Sequence, residues 1–296
     1  MTRIGIVGVG MMGRGMAERL IAAGHDVRVL AHRSREAVEA LVAAGATEAP
    51  DLDALAAGVD AVALCVPNAA VSSARVRALS ERLPAGALVI DLSTVTPEAA
   101  VANAAMLAAR GVDFVEAPVS GGPTQAAEGA LGALVGATPA AFQRAQPLLA
   151  AFCAEIAHFG PPGAGARAKL LYNFMALGMA ALVIETFNRA DAAGVDWEKL
   201  YAVATRGSAD GGVLRRIIGG ALSGDPHGYR FSVANAAKDL TYFCALAEAE
   251  AVPGQGGSAL GAAARAVFAE AEAEGRGAEM ISELASRAAP RDPGDA

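Results

Sequence analysis

Arg3-Ile4-Gly5-Ile6-Val7 is a short β-branched run that passes directly into Gly8-Val9-Gly10-Met11-Met12-Gly13, a G-x-G-x-x-G turn. Met12, Met16 and Leu20 then recur every four residues, the spacing of one apolar helix face. A strand, a glycine turn and a helix in that order form the context in which the motif carries meaning. Gly8 permits the tight turn, Gly10 lets the backbone approach a pyrophosphate, and Gly13 lets the helix pack on the strand. Val9, Met11 and Met12 complete the turn, and the helix N-terminus aims its free amides at the phosphates.

Further strand-like runs follow at residues 27–30, 61–66, 88–91 and 114–116, separated by Ala-rich segments long enough for helices. Thr96-Pro97-Glu98 marks one helix start, with Thr as N-cap and Pro at the first helical position. Apolar strands alternating with helices predict an α/β fold, a Rossmann-type doubly wound parallel sheet covered on both faces. Beyond Pro161-Pro162 the pattern becomes helical, with breaks near residues 208–212, 223–228 and 253–257. The expected organisation is a dinucleotide-binding domain at 1–162, an all-helical domain at 163–289 and a frayed tail at 290–296.

Composition narrows the function classes. The 296 residues carry 24 basic and 31 acidic side chains, a net charge of −7, which argues against a basic nucleic-acid footprint. At 54% hydrophobic and 19% charged, the chain can bury a large core. Its most apolar run, residues 170–184, is interrupted by Tyr172 and Asn173 and is shorter than a membrane-spanning helix needs. Cys65, Cys153 and Cys244 are widely spaced and form no CxxC pair, so neither a disulfide framework nor a metal site is indicated. No signal-peptide pattern precedes the first strand, and a cytoplasmic location is expected.

The residues after the second strand bear on the choice of cofactor. NAD-binding folds place Asp or Glu there for the ribose 2′-hydroxyl. Here the chain reads Ala31-His32-Arg33-Ser34-Arg35, with no carboxylate before Glu36. Arg33 suits a 2′-phosphate, helped by Ser34 and by His32 or Arg35, so NADP is expected over NAD. Three more stretches carry chemistry. Asp91-Leu92-Ser93-Thr94 lies at the carboxyl end of a strand, where ligands of open α/β sheets collect. Ser120-Gly121-Gly122 can aim amides and a hydroxyl at a carboxylate. Lys169 and Asn173 stand four apart on one helix face, with Gly165 near the helix start. Burial and the positive end of the helix dipole would act to lower the Lys169 pKa.

With these residues in view, the sequence resembles the β-hydroxyacid dehydrogenase family over nearly its whole length. The resemblance rests on the G-x-G-x-M-G-x-x-M-A-x-x-L pattern at 8–20, S-T-x-x-P at 93–97, P-V-S-G-G at 118–122, G-x-G-x-x-x-K-x-x-x-N at 163–173 and the F…K-D box at 231–239. It implies Lys169 as general acid or base in the interconversion of a small 3-hydroxy or 2-hydroxy acid and its semialdehyde, with Asn173 bonding the substrate. Ser120, Gly121 and Gly122 would hold the substrate carboxylate. Thr94 would lie near the nicotinamide and Val66, Pro67 and Asn68 near its ribose. Lys238 would stand beside the cofactor or substrate carboxylate, with Phe231 and Asp239 shaping the pocket. A dimer or tetramer built through the helical domain is also implied.

Tyr172 departs from the family pattern, which has Asn before the catalytic Asn; it either packs in the core or narrows the substrate pocket. Two rival readings remain. An imine reductase-like NADPH enzyme is countered by Lys169, and a non-catalytic NADP-binding interaction module by the retention of Lys169 and Asn173. Met175 and Met179 are expected in the core, and Trp197 after Asp196 as a packing anchor at a helix start.

Overall fold

After Arg3, strand β1 (Arg3–Val7) carries only apolar residues and a glycine, and all of them are buried. A strand with no polar face needs helices on both sides. The structure, a computed structural model, describes residues 1–30, 35–250 and 257–285. The chain separates into two compact units, Met1–Lys169 and Leu170–Ala296.

In the first unit β1 is followed by α1 (Met11–Ala22), β2 (Asp26–Leu30), α2 (Arg35–Ala43), β3 (Thr47–Ala49), α3 (Leu52–Ala56) and β4 (Ala61–Leu64). Then come α4 (Ala69–Ser80), β5 (Leu88–Asp91), α5 (Pro97–Ala108), β6 (Asp113–Glu116), β7 (Val119–Ser120), α6 (Pro123–Glu128), β8 (Leu131–Ala137), α7 (Pro139–Leu149) and β9 (Cys153–Gly160). The sheet order is β3-β2-β1-β4-β5-β6-β8-β7, with β9 also paired to β8. Strands β3 through β6 run parallel, so the direction of winding reverses between β1 and β4. Side chains alternate between two apolar layers: Ala61 and Ala63 of β4 enter one, Val62 and Leu64 the other.

The parallel-dominated doubly wound sheet matches the sequence expectation; four strands were not expected. β3 and β7 are only three and two residues long. β8 and β9 read Leu-Gly-Ala-Leu-Val-Gly-Ala and Cys-Ala-Glu-Ile-Ala-His-Phe-Gly, diluted in the β-branched residues that signal a strand. β8 is antiparallel to β6 and β7, which adds a mixed end to the sheet.

Helix α8 (Ala164–Ala192) carries the chain from one unit to the other. The second unit continues with α9 (Trp197–Ala204), α10 (Gly212–Leu214), a π-helical turn at Arg215–Gly219, α11 (Gly220–Ser223), α12 (Val233–Ala249) and α13 (Ala259–Ala271). Its core joins Leu177, Ile184, Phe187, Ile217, Leu240 and Phe268. Asp196 caps α9 by accepting from the Lys199 N–H at 2.9 Å, and buried Trp197 meets the Phe187 ring edge-on at 5.3 Å.

Three expectations change here. At 29 residues, α8 runs well past the apolar stretch 170–184; by length and composition it could cross a membrane, a test that the core helix of a soluble protein also passes. Helical signal at both ends of residues 170–184 extends it. Met175 and Met179 are exposed rather than in the core, because the inward face of α8 follows Leu177, Ala180, Ala181 and Ile184. Tyr172, 39% exposed, is likewise not a core residue.

Candidate active site

The G-x-G-x-x-G turn lies at the carboxyl ends of β1 and β4, where the winding of the sheet reverses and ligands of such sheets bind. Gly8 adopts φ +101°, and a Cβ there would stand 2.1 Å from the Cys65 carbonyl oxygen. A Cβ on Gly13 would lie 1.9 Å from the Gly8 oxygen, so only glycine lets α1 start this close to β1. At Gly10, by contrast, a Cβ would meet nothing within 4 Å. That open cradle beside the first amides of α1 fits a dinucleotide pyrophosphate. Val9 is buried, Met12 half-buried and Met11 exposed. His32, Arg33 and Ser34 lie outside the described residues.

The next two loops are tied together. Val66 N–H donates to Ser93 Oγ at 2.9 Å, and Ser93 N–H to Asp91 Oδ1 at 3.0 Å. Ser72 Oγ donates to Asp91 Oδ2 within the same buried group. Burial raises the Asp91 carboxyl above its ordinary pKa, opposed by the hydrogen bonds from Ser72 and Ser93. The network fixes the Val66–Pro67 segment against the loop that carries half-buried Thr94. Asn68 Oδ1 is engaged as the N-cap of α4, accepting from Val71 N–H at 2.9 Å.

The Ser120-Gly121-Gly122 turn opens with Gly121 at φ +109°. Ser120 Oγ donates to the Gly132 oxygen at 3.3 Å, and Gly122 N–H to Gln125 Oε1 at 2.9 Å. Two of the donors expected to hold a carboxylate are therefore engaged, one by β8 and one by the helix that follows the turn.

At the start of α8 stands a residue that the motif reading passed over. Glu116, the last residue of β6, is fully buried, and both its oxygens accept from Gly163 N–H, at 2.7 and 2.8 Å. Oε1 also accepts from Ala166 N–H at 3.0 Å. Burial pushes its carboxyl up to about 7, opposed by the N–H groups of Gly163, Ala166 and Gly165, while nearby Asp91 adds to the rise. The positive end of the α8 dipole, which the sequence reading set against Lys169, also faces this acid. The signal was an acidic residue closing an otherwise apolar strand, Phe114-Val115-Glu116-Ala117.

One turn further, Lys169 is 5% and Asn173 4% exposed, both on the same helix face. Asn173 Nδ2 donates to Asp239 Oδ2 at 2.6 Å, and Lys238 Nζ stands 3.0 Å from Asp239 Oδ1. Asp239 of α12 thus holds the carboxamide of Asn173 within the second unit, with Lys238 beside the other oxygen of the same carboxylate. Half-buried Phe231 packs against that unit's core. Tyr172 adds to the raising of the Tyr229 pKa, whose main cause is burial. Among the described residues, no three or more His, Cys, Asp or Glu lie together as a metal site would require.

Residues 3–160 match the family model for the NAD-binding domain of 6-phosphogluconate dehydrogenase. Residues 163–287 match that described as NAD-binding of NADP-dependent 3-hydroxyisobutyrate dehydrogenase. The chain belongs to the β-hydroxyacid dehydrogenase family. Like other β-hydroxyacid dehydrogenases it is an NAD(P)-dependent oxidoreductase. It is 31% identical to the 3-sulfolactaldehyde reductase of Escherichia coli (strain K12), over 96% of this chain and 95% of that one. The crystal structure of 3-hydroxyisobutyrate dehydrogenase from Salmonella typhimurium superposes with a TM-score of 0.86 at 29% identity, covering 96% and 99% of the two chains. Psf3 in complex with NADP+ and 2-OPP gives a TM-score of 0.84 at 29% identity, covering 95% and 98%.

Proposed function

We propose that this dehydrogenase interconverts a small 3-hydroxy or 2-hydroxy carboxylic acid and its semialdehyde, with NADP preferred over NAD. The carrying observation is the buried pair Lys169 and Asn173 on one face of α8, with Asn173 held by Asp239. A lysine ammonium in that setting donates its proton to the carbonyl oxygen as it becomes a hydroxyl, and takes it back in the reverse direction. A positioned proton donor of this kind typically contributes about two to four orders of magnitude. Asn173 orients the same oxygen. Gly121 binds the carboxylate, with Ser120 and Gly122 joining once the Ser120 hydroxyl leaves the Gly132 oxygen and the Gly122 N–H leaves Gln125. Gly8, Val9, Gly10, Met11, Met12 and Gly13 hold the pyrophosphate. Val66, Pro67, Asn68 and Thr94 border the nicotinamide end, which supplies or accepts hydride when bound. Lys238, Asp239, Phe231 and Tyr172 shape the substrate's surroundings within the helical domain, residues 163–289, and the cofactor domain spans 1–162.

The NADP preference is supported by Arg33 and Ser34 in the sequence, and by the NADP+ complex of a relative of similar fold. The exposed row Leu171, Met175 and Leu182 on α8 supports self-association through the helical half.

The test is oxidation of NADPH and of NADH against carboxylate- and sulfonate-bearing aldehydes and cyclic imines, for the native chain and Lys169→Ala in parallel. Turnover of a carboxylate-bearing aldehyde with NADPH, lost in the variant, is expected. Imine turnover that survives the substitution would overturn the assignment, and equal rates with NADH would overturn the cofactor preference.

A further inference from the structure

Glu116 has no place among the groups that meet substrate or cofactor, yet its surroundings are built with unusual economy of space. A Cβ on Gly136 would stand 2.2 Å from Glu116 Oε1. A Cβ on Gly165 would fall 2.5 Å from the Leu134 oxygen and 2.6 Å from the Gly136 nitrogen. Gly163 takes φ +96°, a conformation that favours glycine. Three glycines thus let the first turn of α8 press against the backbone of β8 while a buried carboxylate gathers its amides. Those amides are the ones that a helix start leaves without an intrahelical partner. Arg167 N–H then bonds Gly163 O at 3.1 Å, and the helix runs on to Lys169, three residues past the Ala166 donor.

We infer that Glu116 is a positioning residue for Lys169: by binding the amides of Gly163 and Ala166 it sets the height and rotation of the first turn of α8, and with them the place of the lysine ammonium. This rests on the assignment of Lys169 as proton donor. The Glu116 carboxyl is fully buried, a setting in which hydrogen bonds are electrostatically stronger than in water. A displacement of about 1 Å in a reacting group costs on the order of a hundredfold in rate. The turn between the clamp and the lysine contains no break that would absorb such a shift.

The experiment is a double-mutant cycle of Glu116→Gln and Lys169→Ala, read as kcat, KM and NADPH affinity by fluorescence titration. Glutamine keeps the shape but turns an amide N–H₂ toward backbone donors. Expected is a fall in kcat of about ten- to a hundredfold, with KM and NADPH affinity within about twofold of native, and no further fall when Glu116→Gln is added to Lys169→Ala. Glu116→Asp, which keeps the carboxylate one methylene shorter, is expected to recover part of the lost kcat. It also serves as the readable variant if Glu116→Gln does not fold. Full kcat in Glu116→Gln, or an equal loss on both backgrounds, overturns the inference while leaving Lys169 in its role. Full activity in Lys169→Ala overturns both.

Discussion

Glu116 also makes the folded protein sensitive to pH. Its carboxyl loses its proton near the ordinary 4.5 in the unfolded chain and only at about 7 in the folded one. Between those values the unfolded state binds fewer protons, so stability is full below pH 4.5 and falls as pH rises through about 7. A separation of that size corresponds to about 3 kcal/mol. Fully buried Asp91, on the neighbouring strand and in register with Glu116, is raised as well and adds a change of the same sign. Urea midpoints at pH 5 and pH 7.5 are expected to differ for the native chain and to differ clearly less for Glu116→Gln. An identical pH dependence in the two would remove Glu116 as its source. Lys169, Asn173 and the glycine boxes were readable as residues because their spacing is local, within one helix or one turn. Glu116 was not, because its partners Gly163 and Ala166 lie far along the chain, and no periodicity links a strand end to a distant helix start.

Elements were legible where a single stretch holds its own signal. Thr96 followed by Pro97 announced α5, and Thr96 Oγ1 does accept from Ala99 N–H at 3.2 Å. Asp196 works the same way on α9. Replacing it by Ala removes one capping bond at an exposed helix end, and a loss of about 1 kcal/mol in urea unfolding is expected, with kcat unchanged. A loss in kcat would give α9 a part in the site. The strands β8 and β9 escaped the reading because what makes them strands is their neighbours rather than their composition: β9 takes its ladder from β8, and β8 pairs with β6, β7 and β9. The length of α8 was underestimated for a related reason. Its apolar middle is bounded by Ala- and Arg-containing turns that are good helix formers without being hydrophobic.

For the whole molecule, the alternation of strands and helices was enough to give a doubly wound sheet followed by helices, since chain order dictates layer order in such folds. It did not give the outward side of α8. Leu171, Met175 and Leu182 recur near helical spacing and are all more than half exposed. A soluble monomer rarely keeps such a row uncovered. Sedimentation of the native chain is expected to report a dimer or tetramer, and Leu182→Glu to shift it to a smaller species; a native monomer would sink the proposed self-association. Finally, α8 begins in one compact unit and ends in the other, and the amides that satisfy Glu116 belong to its first turn. Anyone wishing to express the nucleotide-binding half by itself, or to graft it onto a different catalytic partner, must therefore carry the opening turns of that helix along. A cut at Gly160 would strand an ionisable group in an apolar interior with its donors left on the discarded piece.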